Sequence, residues 1–329
     1  MIPRSIFRVR KVQIAIIGII CSLVVGFISY SAYHLFFTKP IKVPTVFTID
    51  RQKTGRAVAK QLHENDFISS KLVFRTLLKL TNLDKKIRAG VYQLLPSFTM
   101  FKVINVITQN SDVMVKITIP EGWTTKQIVR YLKAQPGIEK VNINIDTIDQ
   151  YYLPETYMFS PPISAQKVLE TMSNQANQYL QETDIRKIPH PLKNIQEVIA
   201  LASIVEKETS LDHERPLIAG VFLNRLKKRM RLQADPTVVF AATNGEGKLA
   251  RPLFKSDLKI QSPYNTYINE GLPPGPICHP GKKSIQAVLN PVQTKYLYFV
   301  EDKAGGHKFA HSNVEHNKNV KKIRSIRQV

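Results

Sequence analysis

The stretch from Val12 to Thr38 contains no Asp, Glu, Lys or Arg, and this constrains the chain more than any other feature. Crossing the hydrocarbon core of a bilayer takes ~20 apolar residues of helix, and the apolar region of a signal peptide is shorter than this run. Arg4, Arg8, Arg10 and Lys11 precede it, and Tyr30, Tyr33, Phe36 and Phe37 gather at its far end. Basic flanks stay on the cytoplasmic side and aromatic rings collect at the interface. No small-x-small cleavage site follows. The segment reads as an uncleaved single-pass anchor over residues 12–38, with a cytoplasmic basic tail over 1–11. Everything beyond about residue 39 then lies outside.

That topology bears on the charge. The 329 residues carry a formal net charge of +22, which points to polyanionic surroundings: nucleic acid, anionic lipid or an acidic polymer. A body outside the cytoplasm does not meet cytoplasmic nucleic acid, so lipid and an acidic polymer remain. With 43% hydrophobic residues the chain is no disordered protein, and its length suits about two domains. Cys21 sits in the apolar run and Cys278 stands far downstream, so no intrachain disulfide is expected.

A Pro-stiffened stalk, residues 39–45, leads into a module over 46–111. There VFTI reads as a strand, Gly55–Glu64 and Ser70–Leu80 as helices with Val58, Leu62, Val73, Phe74 and Leu77 inward, Ala89–Leu94 as a second strand and Met100–Thr108 as a closing helix. The remainder, 112–329, begins with a strand over Val113–Ile119 and a helix capped by Thr124 or Thr125. Tyr151–Ser160 reads as an aromatic loop whose Tyr152, Tyr157 and Phe159 either stack on sugars or fill the core. Asp235-Pro236 looks like a helix cap followed by proline, and Tyr296–Val300 like a buried strand. Ser262–Gly281, with prolines at 263, 273, 274, 276 and 280, is a long stiffened loop of the kind that tends to carry function.

The helix from Ile195 to Thr209 is apolar almost all round and so is expected to be buried. Its last turn nonetheless holds Glu206, Lys207 and Glu208. Steps of three and four put Glu208 in line with Leu201, Ile204 and Val205, and Glu206 in line with Ile195, Ile199 and Ala202. A carboxyl desolvated on such a helix has a raised pKa, as a general acid requires; alternatively, either glutamate is paired with an arginine.

ASIVEKET, FLNRL, MRLQADPTV, SPYNTY, GLPPGPI, YLYFV and GGHKFAHS-EHN occur in that order over nearly the whole chain. In this the chain resembles the YceG-like family of membrane-anchored endolytic murein transglycosylases, and LPETYMF and AGVYQL also fit. The resemblance implies an α+β protein: the N-terminal transmembrane helix, a small LysM-like module and a mixed catalytic domain. It implies cleavage of the MurNAc–GlcNAc bond within peptidoglycan strands, leaving 1,6-anhydro-MurNAc ends and terminating nascent strands. It also implies an inner-membrane location with the catalytic domain periplasmic, and peptidoglycan synthases as further partners. The family's catalytic acid is the glutamate before threonine in EKET, here Glu208. Gln233, Asp235, Thr237, Tyr264, Asn265, Tyr267 and His307 fall in family motifs and are the candidate substrate-binding residues, with Asn317 beside His307 at the C-terminal loop.

One acid suffices for this chemistry. It protonates the glycosidic oxygen, and its conjugate base then deprotonates the muramic C6 hydroxyl, which closes on C1. A hydrolase needs a second carboxylate, and Asp212, Glu214 and Asp235 sit in polar stretches. His307, His311 and His316 match no zinc spacing, so neither metal nor cofactor is expected. A hydrolytic muramidase and a non-catalytic wall-binding scaffold are the competing readings.

Overall fold

The computed structural model describes residues 4–36, 43–50, 53–109, 114–139, 151–302 and 305–325. Most of the stalk and the boundary between residues 111 and 112 lie outside them, as do the side chains of Arg4, Arg8, Arg10 and Lys11. The N-terminal run forms one helix, α1 (Arg4–Phe36), with Ile16–Tyr33 long and apolar enough to cross a membrane. Side chains from Ile16 to Tyr30 are all exposed, an apolar surface that the protein itself does not cover.

The chain forms two compact units of mixed α and β structure. One contains the residues up to Val115 together with Pro136–Glu139 and Met158–Ile163. Strand β1 (Thr45–Ile49) pairs antiparallel with β2 (Gly90–Leu94), Phe47 opposite Tyr92. Between them run α2 (Gly55–Glu64) and α3 (Lys71–Leu80), and α4 (Met100–Thr108) follows. The helix starts are set locally: the side chains of Thr54, Ser70 and Thr99 each accept a backbone N–H in the first turn. The 3.6-residue stripes Val58/Leu62, Val73/Phe74/Leu78 and Val103/Ile107 meet Phe47 and Leu94 in one core, with Leu77, expected inward, partly buried at its edge.

Strand β3 (Val115–Thr118) leads into α5 (Thr125–Ala134), which Thr124 and Gln127 start with a reciprocal capping box. The short β4 (Ile138–Glu139) follows. LPETYMF contains a strand, β5 (Thr156–Phe159), where an aromatic loop was expected. Its period-two alternation explains the difference: Tyr157 and Phe159 point inward and Thr156 and Met158 outward. Tyr152, Tyr157 and Phe159 are all core residues. After β6 (Ile163–Ser164) comes the amphipathic α6 (Ala165–Gln181).

The second unit is built around α7 (Ile195–Glu208), whose residues 198–205 are all buried. It packs against α8 (Arg215–Lys227) and α10 (Lys282–Leu289), with α9 (Asp235–Thr243) beside it. Ser203 pins the proline-rich loop to α7: its hydroxyl donates to the Ala200 carbonyl at 2.7 Å and accepts from the Ile277 amide at 3.0 Å. Helix α9 begins differently from expectation. Ala234, in extended conformation, is the N-cap, and Asp235 lies in the first turn because its carboxylate is taken by the Tyr267 hydroxyl.

The unit ends in β7 (Tyr298–Glu301), paired antiparallel with β8 (His307–Ala310), and α11 (Asn313–Ser325). The expected buried strand is only half-buried. Among the described strands β7 pairs with β8 alone, and its residues also line a cavity.

Gly220, inside α8, is required by close approach. A Cβ there would stand 2.5 Å from the Val292 carbonyl oxygen, whose residue is tied back by its own N–H to Pro216. Gly220→Ala is therefore expected to destabilise by about 1–3 kcal/mol, although alanine is the better helix former by ~1 kcal/mol. A thermal melt checks this, and an unchanged or higher midpoint would refute it.

Candidate active site

Successive residues of a helix lie about 100° apart, because a turn takes 3.6 residues. The three charged side chains at the end of α7 therefore have three different surroundings. Glu206 is fully engaged: it accepts from the Gly281 amide at 3.0 Å and the Ser284 hydroxyl at 2.7 Å, and it pairs with the buried Arg215 at 3.6 Å. Lys207 is exposed, and its ammonium reaches the Gly122 carbonyl at 3.4 Å. Glu208 is half-buried, and no hydrogen bond or ion pair reaches its carboxyl among the described residues.

The Glu208 side chain opens into a cavity of about 650 Å³. Enough protein surrounds the carboxyl for desolvation to dominate, with the Asp235 charge adding to it and Arg225 opposing. Together they push its pKa up from 4.5 to about 8. At neutral pH this acid is mostly protonated.

Four of the seven candidate substrate-binding residues share that cavity: Gln233, Asp235, Tyr267 and His307. Gln233 holds a left-handed backbone, φ 47°, fixed by its N–H to the Thr266 carbonyl. A non-glycine residue pays ~1–2 kcal/mol there, and such strain concentrates at functional sites. The Tyr267 hydroxyl donates to Asp235, and burial followed by that bond raises its own pKa. Glu214 holds His307 in place: it accepts from the His307 amide at 2.8 Å and binds the imidazole Nδ1 at 2.7 Å. Burial pushes the Glu214 carboxyl up, but these bonds outweigh it and hold the pKa below the ordinary value.

The other three candidates lie elsewhere. Thr237 is fully buried, bonded to the Ala234 carbonyl and the Thr266 hydroxyl. Asn265 is also buried; its amide donates to the Leu258 and Ile260 carbonyls and its carbonyl accepts from Tyr267 N–H, so it shapes the loop that carries Tyr267. Tyr264 packs against Phe240 with ring centroids 4.6 Å apart and planes tilted by 45°, in a different hollow. Asn317 does line the Glu208 cavity. Of the three histidines, His307, held by Glu214, and His316, stacked on Tyr298, both line the Glu208 cavity, while His311 stacks on Tyr296.

Arg225 was not singled out from sequence, yet it lines the cavity. Its guanidinium lies 5.1 Å from the Tyr298 ring centroid and donates to the Leu297 and Leu232 carbonyls at 2.6 and 2.7 Å. Its Nε and Nη1 are thus committed to backbone carbonyls, and its charge reaches Glu208 through space rather than through a hydrogen bond. A signal was present: Arg225 lies three and four residues beyond Phe222 and Val221, on the inward stripe of α8.

Residues 47–322 match the model of the YceG-like family. The chain belongs to the YceG-like family. It is 32% identical over 311 residues to the endolytic murein transglycosylase of Bacillus subtilis (strain 168), covering 85% of each chain. It is 26% identical over 310 residues to the endolytic murein transglycosylase of Streptococcus pneumoniae serotype 2, covering 80% of this chain and 55% of that one. A 2.6 Å crystal structure of a YceG-like protein from Listeria monocytogenes superposes with a TM-score of 0.53 at 29% identity, over 84% of this chain and 99% of the other. In this YceG-like protein the last turn of α7 thus offers one paired acid, Glu206, and one unpaired acid in a cavity, Glu208.

Proposed function

We propose that this YceG-like protein is a lytic murein transglycosylase that cleaves within peptidoglycan strands, with Glu208 as general acid and then general base. The observation that carries the reading is a half-buried carboxyl, free of any ion pair among the described residues, facing a polar cavity of about 650 Å³, where desolvation pushes its pKa up. The names of the relatives from B. subtilis and S. pneumoniae support the same substrate class.

In the proposed reaction the Glu208 proton passes to the glycosidic oxygen as the bond from that oxygen to C1 of the muramic sugar breaks. Positive charge grows at C1, where the substrate's own N-acetyl oxygen and the nearby Asp235 carboxylate stabilise it. The C6 hydroxyl of the same sugar attacks C1, and its proton goes to the Glu208 carboxylate. One C–O bond forms for the one broken, the acid is regenerated and no water is consumed. Holding that hydroxyl in place supplies the nucleophile without a second enzyme group.

The competing hydrolytic reading draws on Asp235, which the fold brings to the same cavity although it lies in a polar stretch of sequence. Product analysis decides between them. Purified full-length protein in detergent, incubated with uncross-linked strands, is expected to yield 1,6-anhydro-MurNAc ends by mass spectrometry. Hydrated reducing ends would establish a muramidase, and no cleavage would leave a scaffold.

The wider reading belongs to the same proposal. α1 anchors the protein with its N-terminus cytoplasmic and its body outside, the β1-α2-α3-β2 unit is a LysM-like module, and cleavage beside peptidoglycan synthases ends nascent strands. The basic charge suits both the carboxylates of the polymer and the anionic lipid beside the anchor.

A further inference from the structure

The cavity at Glu208 shares a wall residue with a second hollow. That residue is Asp235, the first of α9, and the second hollow has a volume of about 360 Å³. Thr124, Phe240 and Ile277 are common to that hollow and a third, of about 620 Å³, which holds Tyr264. Helix α9 is the shared wall: Asp235 stands at the first, Val239 and Phe240 at the second, and Phe240, with Asn244 just past the helix end, at the third. Nine residues at 1.5 Å rise make this wall about 13 Å long, more than one sugar ring spans.

The charges of the middle hollow are unequal. Its cations are Lys207, Lys248 and Arg251, and its acid is Asp235. Asp235 is already bonded by Tyr267, and Arg251 is committed to Asp257 through two bonds of 2.6 and 2.9 Å. Lys248 is exposed and has no hydrogen bond or ion pair among the described residues, and Lys207 has only a carbonyl at 3.4 Å. Among the described residues, two ammonium groups without a carboxylate partner thus line the middle hollow.

We propose that the three hollows are one groove for an extended strand, and that Lys207 and Lys248 read a carboxylate on it one repeat away from the bond at Glu208. This rests on the murein reading above and deepens it. In such a polymer only every second sugar bears the lactyl group, so carboxylates, lactyl or on the attached peptide, recur with the disaccharide. Seating one of them at the middle hollow sets the register that presents a muramic rather than a glucosamine linkage to the acid. Tyr264, remote from Glu208, then serves the far end of the same strand by stacking.

Binding tests this without requiring cleavage. Full-length Glu208→Gln protein in detergent is titrated with fluorescent uncross-linked strands of three kinds: peptide-bearing, peptide-stripped with free lactyl carboxylates, and stripped strands whose lactyl groups are methyl-amidated. The same titrations are repeated with Lys248→Glu added, an exposed change that leaves the core untouched. Amidated strands are expected to bind about tenfold more weakly than their free-acid counterparts, and Lys248→Glu to weaken carboxylate-bearing strands by about the same factor while leaving amidated ones unchanged. Loss on stripped strands identifies the lactyl carboxylate; loss confined to peptide-bearing strands identifies the peptide. Equal effects of Lys248→Glu on charged and amidated strands, or none on either, overturn the carboxylate reading alone. No binding of any strand overturns the murein reading as well.

Discussion

Glu208→Gln is expected to lower strand cleavage by about 10²–10⁴-fold, the range a positioned general acid supplies, with the fold intact. The amide keeps the shape of the carboxyl and removes only its proton chemistry. Because the proton is held with a pKa of about 8, cleavage by the native protein is expected to fall as pH rises through 8. Stability follows the same proton. Between the ordinary value of 4.5 and about 8 the folded chain binds a proton that the unfolded chain has released, so stability declines with rising pH across that window and levels off above it. In Glu208→Gln that contribution disappears. Cleavage assays and urea unfolding at pH 5 and pH 8, on both proteins, check the two limbs. Full activity in the variant would mean that the acid lies elsewhere.

Arg215→Met is expected to cost about 3–5 kcal/mol, because removing one partner of a buried ion pair strands the other. Arg215 and Glu206 are both almost fully buried, and Arg215 also donates to Ser284 at 3.1 Å and reaches Asp212. Without it Glu206 keeps only the Gly281 amide and the Ser284 hydroxyl. It then also faces Glu121, whose carboxyl is raised first by burial and second by Glu206 itself. For a body of this size a loss of that order lowers the melting midpoint by about 10 °C. Glu206→Gln, in contrast, should keep substantial cleavage, since this carboxylate joins α7 to α8 and α10 rather than facing the cavity. Combining Glu206→Gln with Arg215→Met removes both charges and should recover part of the lost stability. A double change as unstable as Arg215→Met alone would show that the stranded charge is not the cause.

Local pattern carried much of this in the bare sequence. The apolar run of α1, the stripes of α2, α3 and α4, the Thr124 cap and the buried core of α7 depend on neighbours three or four residues away, and spacing along the chain expresses these directly. The phase of Glu208 with Leu201, Ile204 and Val205 belongs to the same class of information, and so did the overlooked phase of Arg225 with Phe222.

Tertiary packing decided the rest. Glu206 and Glu208 are near twins in sequence, and only the arrival of α8 and α10 made one an ion-pair partner and left the other unpaired. Asn265 and Tyr267 share a motif, yet one is a buried clamp and the other faces the cavity. Asp235 joined Glu208 through the way α9 lies beside α7, which no local period encodes. A helix reports its own buried face through its periodicity. A cavity is bounded by several elements at once, so its membership and the pKa values inside it exist only after those elements have packed.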